Sequence, residues 1–224
     1  MNQLPDNIAW AALTGAHAHH ALGNGGVRRY APGFPAFVAF DDPAHPDLAS
    51  LAPLCEPGET LYTLGINGVM PAGWRVNGEV TLLRMYWDSE MPVDDAPDAV
   101  QLRAQHEDDI LELLRLIPPG PFGPRTVELG DYFGYFEDGR LIAMAGERLH
   151  ADTAREISNV CTHPDFRRKG LAGRLMFKLI RRAMLRGETS FLHVLSDNLD
   201  AQRLYHAMGF RNHCEVAGHV IMRD

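Results

Sequence analysis

Three cationic side chains and a glycine, in the run Arg167-Arg168-Lys169-Gly170-Leu171-Ala172, are the residues of this chain best suited to holding a phosphate. The run joins two stretches of different periodicity. Before it, Ile157 to Thr162 is apolar and β-branched enough to sit in a sheet. Pro164 removes a backbone donor and pushes His163 away from helical angles, so the strand ends there. After it, Ala172, Leu175, Met176, Leu179, Ile180 and Ala183 recur at helical spacing, with Arg174, Lys178, Arg181 and Arg182 on the other face. A strand-to-helix turn of this kind offers unpaired backbone N–H groups and the positive end of a helix dipole, which together bind phosphate. Gly170 lets the backbone approach a ligand closely or take a positive φ.

A second constellation lies downstream: Asn198-x-x-Ala201-x-x-Leu204-Tyr205-x-x-x-Gly209-Phe210. Arg167-x-x-Gly170-x-Ala172 after a strand, followed by this element, resembles the GNAT superfamily of acyl-CoA-dependent N-acyltransferases. The resemblance covers residues 98–224 and says little about the first 90. It implies that the amides of residues 167–172 hold the pyrophosphate of coenzyme A. It also implies that Val160, Cys161 and Thr162 lie along the pantetheine arm, with the backbones of Val160 and Thr162 pairing to it as if to another strand. Asn198 matches the family's cofactor contact, or else is an N-cap. Tyr205 stands where the family keeps a tyrosine able to protonate the departing sulfur.

An acyl thioester is already activated, so the chemistry needs few groups: a neutral amine, a stabilised oxyanion and a protonated leaving thiolate. Glu156 lies eleven residues before Arg167, an offset at which members of the family place a general base. A turn centred on Asp152 would also set Arg148 opposite Glu156 as a cross-strand ion pair, and spacing leaves both readings open. Glu147 is a weaker substitute for the base. The segment after the first helix of the family helps shape the acceptor pocket, which makes Phe122 and Arg125 candidate acceptor contacts or, equally, parts of a plain connection.

The elements that must position these groups follow from the rest of the chain. A length of 224 residues allows one large domain or two small ones, and 46% hydrophobic content expects a packed core. The net charge of −8 argues against non-specific nucleic-acid binding. Yet residues 165–187 hold eight of the 21 Lys and Arg, which suggests a specific anionic ligand. Cys55, Cys161 and Cys214 have no metal spacing and read as free thiols of a reducing compartment. With no membrane-length apolar run and no signal-peptide pattern, a cytoplasmic protein is expected, free of membrane and nucleic acid, as a monomer or homodimer.

Asp6 to His20 reads as a helix, with His17, His19 and His20 as surface or helix-end histidines rather than a metal site. Strands are expected at Val27–Tyr30, Ala36–Phe40 and Thr60–Leu64, and a short helix near 48–54. Asn77-Gly78 signals a hairpin between 74–76 and 79–83. Residues 90–99, with two prolines and four acids, read as a linker. Then come a short strand at 100–103, a helix at 106–117, a proline-stiffened loop at 118–125 and the order β-β-β-α-β-α-β. The expected fold is an α+β, α/β-related mixed sheet flanked by helices. Two domains are expected. Residues 1–92 form a smaller α+β unit without cofactor, resembling the degenerate half of a tandem member; residues 98–224 form the acyl-CoA-binding catalytic unit. The implied activity is transfer of acetyl from acetyl-CoA, without a metal, to an amine of a small molecule or peptide in a ternary complex. The alternatives are a longer acyl-CoA donor, or a non-catalytic acyl-CoA sensor.

Overall fold

The computed structural model describes residues 4–67, 70–117 and 120–224. Pro118 and Pro119 of the expected stiff loop lie outside the described residues. The chain runs α1 (Ile8–Thr14), β1 (Ala21–Leu22), β2 (Val27–Tyr30), β3 (Val38–Phe40), α2 (Leu48–Leu51), β4 (Thr60–Leu64), β5 (Trp74–Trp87) and β6 (Val100–Gln101). It continues through α3 (Glu107–Leu116), β7 (Tyr132–Glu137), β8 (Arg140–Ala151), β9 (Ala154–Thr162), α4 (Leu171–Leu185), β10 (Thr189–Leu195), α5 (Leu199–Met208) and β11 (Phe210–Arg223). Strands β1–β3 make a small sheet. The other eight make a mixed α+β sheet in the order β4-β11-β5-β10-β9-β8-β7-β6.

Strand β5, from before residues 92–98, lies between β10 and β11, both from after them. It pairs antiparallel with each. The Asn77-Gly78 hairpin is not formed. β11 offers a ladder long enough to keep the whole of β5 extended, and Gly78 and Val76 pair with Val220 and Ile221. Asn77 is the extra residue there, so the dipeptide makes a β-bulge instead of a turn. Asp138-Gly139, both at positive φ, does make the tight turn between β7 and β8.

The amphipathic face of α4 covers one side of the sheet. Leu175, Met176, Leu179 and Ile180 are fully buried against Phe133, Ala145, Ile157, Leu192 and Phe210. Truncating one of these leucines to alanine costs about 2–5 kcal/mol through lost burial and the cavity left behind. On the other side, α1 packs Ile8, Ala12 and Leu13 on Leu149, Ala154 and Phe191, while α3 packs Ile110 and Leu113 on Tyr132 and Met144.

α1 ends at Thr14, sooner than the sequence suggests, and the next turn carries His17 inward. His17 is 4% exposed, with Nδ1 2.6 Å from the Tyr30 hydroxyl and Nε2 3.1 Å from Leu129 O. Burial and the neighbouring His150 push its pKa down to about 4. It is a core histidine rather than a surface one. Among the described residues no three His, Cys, Asp or Glu side chains are grouped to hold a metal ion. No helix is long and apolar enough to cross a membrane.

The polar face of α4 has a different partner from the one its charge suggested. Arg174 is ion-paired with Asp94 and Asp98, Lys178 donates to Asp95 O, and Arg181 donates to Pro92 O. Arg182 pairs with Asp131. The acidic 92–98 segment is thus strapped along the helix, and most of the basic run is spent inside the protein. Among the described residues, Arg167, Arg168 and Lys169 stay exposed at the turn with no acidic partner.

Candidate active site

Parallel pairing of β9 with β10 stops at Glu156↔Phe191, after three residue pairs. The cause lies in β9. Asn159 is at φ +53, and the register with β8 jumps between Ser158 and Cys161. Such a bulge bends its strand and increases local twist. Beyond it the two strands diverge around a cavity of about 540 Å³. Ile157 to Val160 form one wall and Leu192 to Leu195 the other. Asn198, Ala201 and Tyr205 of α5 close one side. Phe37, Thr63, Arg148 and His219 close the far end.

The cationic turn follows directly on β9. Arg168 and Gly170 take positive φ, +63 and +76, which reverses the chain into α4. Gly170 is the N-cap and gives no side-chain bond, so the first amides of a 15-residue helix are left without a cap. A Cβ at Gly170 would meet nothing within 4 Å, so the space above those amides is open. Arg167 donates to Thr162 O, Lys169 lies over the Phe166 ring, and Leu171 and Ala172 form the first turn of α4. The turn fits a diphosphate on two independent grounds, uncapped donors and cationic flanks.

Val160 lines the cavity, and the edge of β9 beyond Glu156 has no strand partner. Cys161 faces the other way, 4% exposed among the residues under α3, and burial pushes its thiol up to about 12. It stays a neutral thiol; only its backbone is available. Asn198 does both things open to it. Its side chain caps α5 by accepting from Ala201 N at 3.1 Å, and it borders the cavity. Tyr205 also borders the cavity, edge-on to Phe210, and burial raises its pKa so that it holds its proton at neutral pH.

Glu156 is where the two sequence readings part. It is fully buried and gripped by Arg148, whose Nε donates to Oε2 at 2.9 Å and Nη2 to Oε1 at 2.7 Å. His193 adds a third bond, Nδ1 to Oε1 at 2.9 Å. Burial pushes the Glu156 carboxyl up, but the ion pair and these donors win and hold it at about 2. Glu156 does not itself line the cavity; Arg148 and His193 do. Arg84 completes the group by donating from Nε to His193 Nε2 at 3.1 Å. A guanidinium only donates, so Nε2 is the acceptor and the His193 proton is on Nδ1. Both ring nitrogens of His193 are therefore occupied.

Glu147 lies in a separate ion-pair network with Arg155 and Arg186, away from the cavity lining. Arg125 does not reach the cavity. It forms a bidentate pair with Glu128 and stacks over Phe34 at 4.3 Å. Phe122 lines a second hollow of about 390 Å³ that shares Tyr62, Gly120 and Pro121 with the first.

Several lining groups carry no sequence motif. His219 is on β11, opposite Thr63 of β4. Among the described residues, His219 Nδ1 and Thr63 Oγ1 are both buried without a hydrogen-bond partner, and so is Asn159 Nδ2. The Glu79 carboxylate lies 3.9 Å from His219 Nε2. The one available signal was the polar residue in each of these strands, and only the strand pairing shows that they meet.

The FR47-like protein family model matches residues 132–217, the segment that contains β7 to the middle of β11. A GNAT-family crystal structure from Novosphingobium aromaticivorans is 31% identical, with all of both chains covered and a TM-score of 0.89. A GCN5-related N-acetyltransferase-like protein from Streptococcus suis shares the fold at 19% identity and a TM-score of 0.61, over 98% of this chain and 94% of that one. One from Kribbella flavida does so at 17% and 0.61, over 99% and 96%. No curated protein matches this chain in sequence. A match at that identity over the full length of both chains, on the fold and cleft just described, makes this chain a member of the GNAT family.

Proposed function

We propose that the chain is an N-acetyltransferase that moves acetyl from acetyl-CoA to an amine by direct transfer in a ternary complex. The observation that carries this reading is the cleft where β9 leaves β10. It has an uncapped helix N-terminus at the end of the same strand and a protonated tyrosine on its side. The amides of residues 167–172, with Arg167, Arg168 and Lys169, would hold the diphosphate. Val160 and Thr162 would offer their free backbone edge, and Asn198 the polar end of α5. Acetyl-CoA supplies the activated acyl group. Tyr205 would give its proton to the departing sulfur as the carbon–nitrogen bond forms and the carbon–sulfur bond breaks.

For the proton of the attacking amine, Glu156 is poorly placed, being ionised, buried and held by three donors. Its role in this reading is to hold Arg148 and His193. His219 takes the proton instead, directly or through water, since it lines the cavity and its Nδ1 has no hydrogen-bond partner among the described residues, whereas both nitrogens of His193 are bonded. The two segments on either side of residues 92–98 are proposed to work as one unit. The first supplies β5 within the sheet, and Phe37 and Thr63 on the cavity wall.

Gly170→Asp tests the donor site. It sets a negative charge at the proposed diphosphate site; its Cβ meets no atom within 4 Å, and aspartate tolerates the positive φ there better than most side chains. Titration calorimetry should show coenzyme A binding weakened roughly 10- to 100-fold, the worth of a charge-assisted hydrogen bond. Unchanged affinity in a folded variant would remove the turn from the site.

A further inference from the structure

The far end of the cavity contains more positive charge and more donors than the protein itself uses. Arg84 and Arg148 are 1% and 8% exposed; Arg148 pairs with Glu156, and Arg84 reaches that carboxylate only through His193. His193 is neutral by its bonding pattern, so Arg84, Arg148 and Glu156 sum to one positive charge, with the exposed Asp6 carboxylate acting on Arg84 from outside this buried group. Arg84 spends its remaining donors on the carbonyls of Pro5 and Asp6. Arg148 spends Nε and Nη2 on Glu156 and lies over the Phe37 ring, and Nη1 has no bonded partner among the described residues. No Asp or Glu lines this cavity among the described residues.

Asn159 points the same way. It is 2% exposed, and its Oδ1 accepts from the Tyr132 hydroxyl at 2.9 Å. That bond leaves Nδ2, a donor, buried without a hydrogen-bond partner among the described residues, on a residue that lines the cavity. The arrangement is built deliberately. A Cβ at residue 146 would fall 2.1 Å from the Tyr132 ring, so only glycine there lets Tyr132 reach Asn159. Asn159 takes a left-handed backbone that asparagine tolerates better than most residues. A register shift in β8 between Glu147 and His150 frees Arg148 to turn toward the cavity. Arg148 and Asn159 both line the cavity, and the charge of Arg148 is felt at the Tyr132 hydroxyl that holds Asn159. Leaving buried donors and a charge unpaired is costly unless a ligand completes them.

We infer that the acceptor amine of this enzyme also carries a carboxylate, which Arg148 Nη1 and Asn159 Nδ2 bind at the floor of the cavity. This rests on the acyltransferase reading above. It narrows the acceptor to an amino-acid-like molecule and sets aside simple amines and polyamines.

The test keeps the amine and changes only the charge. Glycine, β-alanine, 4-aminobutyrate and 6-aminohexanoate are each compared with their own carboxamide, using acetyl-CoA as donor and equal concentrations of neutral amine. At least one carboxylate should exceed its amide in kcat/KM by about 30-fold or more, as expected when a buried charge loses its partner. Asn159→Asp keeps the acceptor for Tyr132 and suits the same backbone, but it turns the free donor into a negative charge. It should bring that ratio close to one, whereas a merely structural loss would lower both rates and preserve the ratio. Amides equal to or better than their acids throughout would overturn the inference and leave the acyltransferase reading standing. No acetyl transfer to any amine would overturn both.

Discussion

The turn at residues 167–172 and the floor of the cavity serve one cleft but are made in opposite ways. The turn is six consecutive residues, exposed, and its binding groups are backbone amides freed by a change from strand to helix. The floor is Arg148, Asn159 and His193, backed by Arg84 and Glu156 behind the lining, side chains drawn from four strands and almost wholly buried. A backbone site survives changes of side chain as long as the turn forms. A buried charge cluster is fixed by every member at once, because removing one leaves the others uncompensated.

The largest effect should come from the one titratable group on α5 that borders the cavity. Tyr205→Phe removes a hydroxyl and keeps the ring against Phe210. Turnover should fall by roughly 10²–10⁴, the worth of a positioned acid, with acetyl-CoA affinity nearly unchanged. A loss of affinity with turnover intact would move Tyr205 from the chemistry to the binding surface.

Glu156→Gln probes the floor itself. It strands two buried guanidinium groups and should cost about 3–5 kcal/mol in denaturant unfolding. The pH dependence carries a sign. The folded carboxyl is held at about 2, below its unfolded range. Its stabilisation is thus complete above about pH 5 and is lost as pH falls toward 2. The wild type should destabilise through that window, and the Gln variant should do so less. Equal acid sensitivity in both would mean that the pair does not hold the floor.

The smallest effect concerns the junction of the two regions. Asn198→Ala should cost about 1 kcal/mol or less of stability through the lost N-cap, and Asn198→Asp, which still caps, should cost none. If the Asp variant keeps its stability but loses coenzyme A affinity, the cavity-facing role of this residue is separated from its cap.

How far the sequence reached follows the same division. The turn, the α4 stripe, Asn198 and Tyr205 were legible because each is a local pattern, with its periodicity and punctuation in one short stretch. Arg148 opposite Glu156 was legible as one of two readings, since a hairpin links them. Arg84, His193 and His219 were not legible. They meet only because β5 slides between β10 and β11, and no local signal records a strand inserted from a hundred residues away. The Asn77-Gly78 turn failed for the same reason: the long β11 partner decided what a dipeptide preference did not. The acidic run at 90–99 reads as a linker in composition, and only the structure shows its acids answering the arginines of α4.

The central claim is that the cleft between β9 and β10 carries out acyl transfer rather than only binding an acyl-CoA. The most direct measurement is thiol released from acetyl-CoA by the purified protein, with and without the amino acids named above, and with the N-acetyl product identified by mass. The account predicts release that depends on the amine and matches the product mole for mole. Saturable acetyl-CoA binding with no amine-dependent thiol, across every acceptor offered, would contradict it and mark the protein as a sensor of the donor.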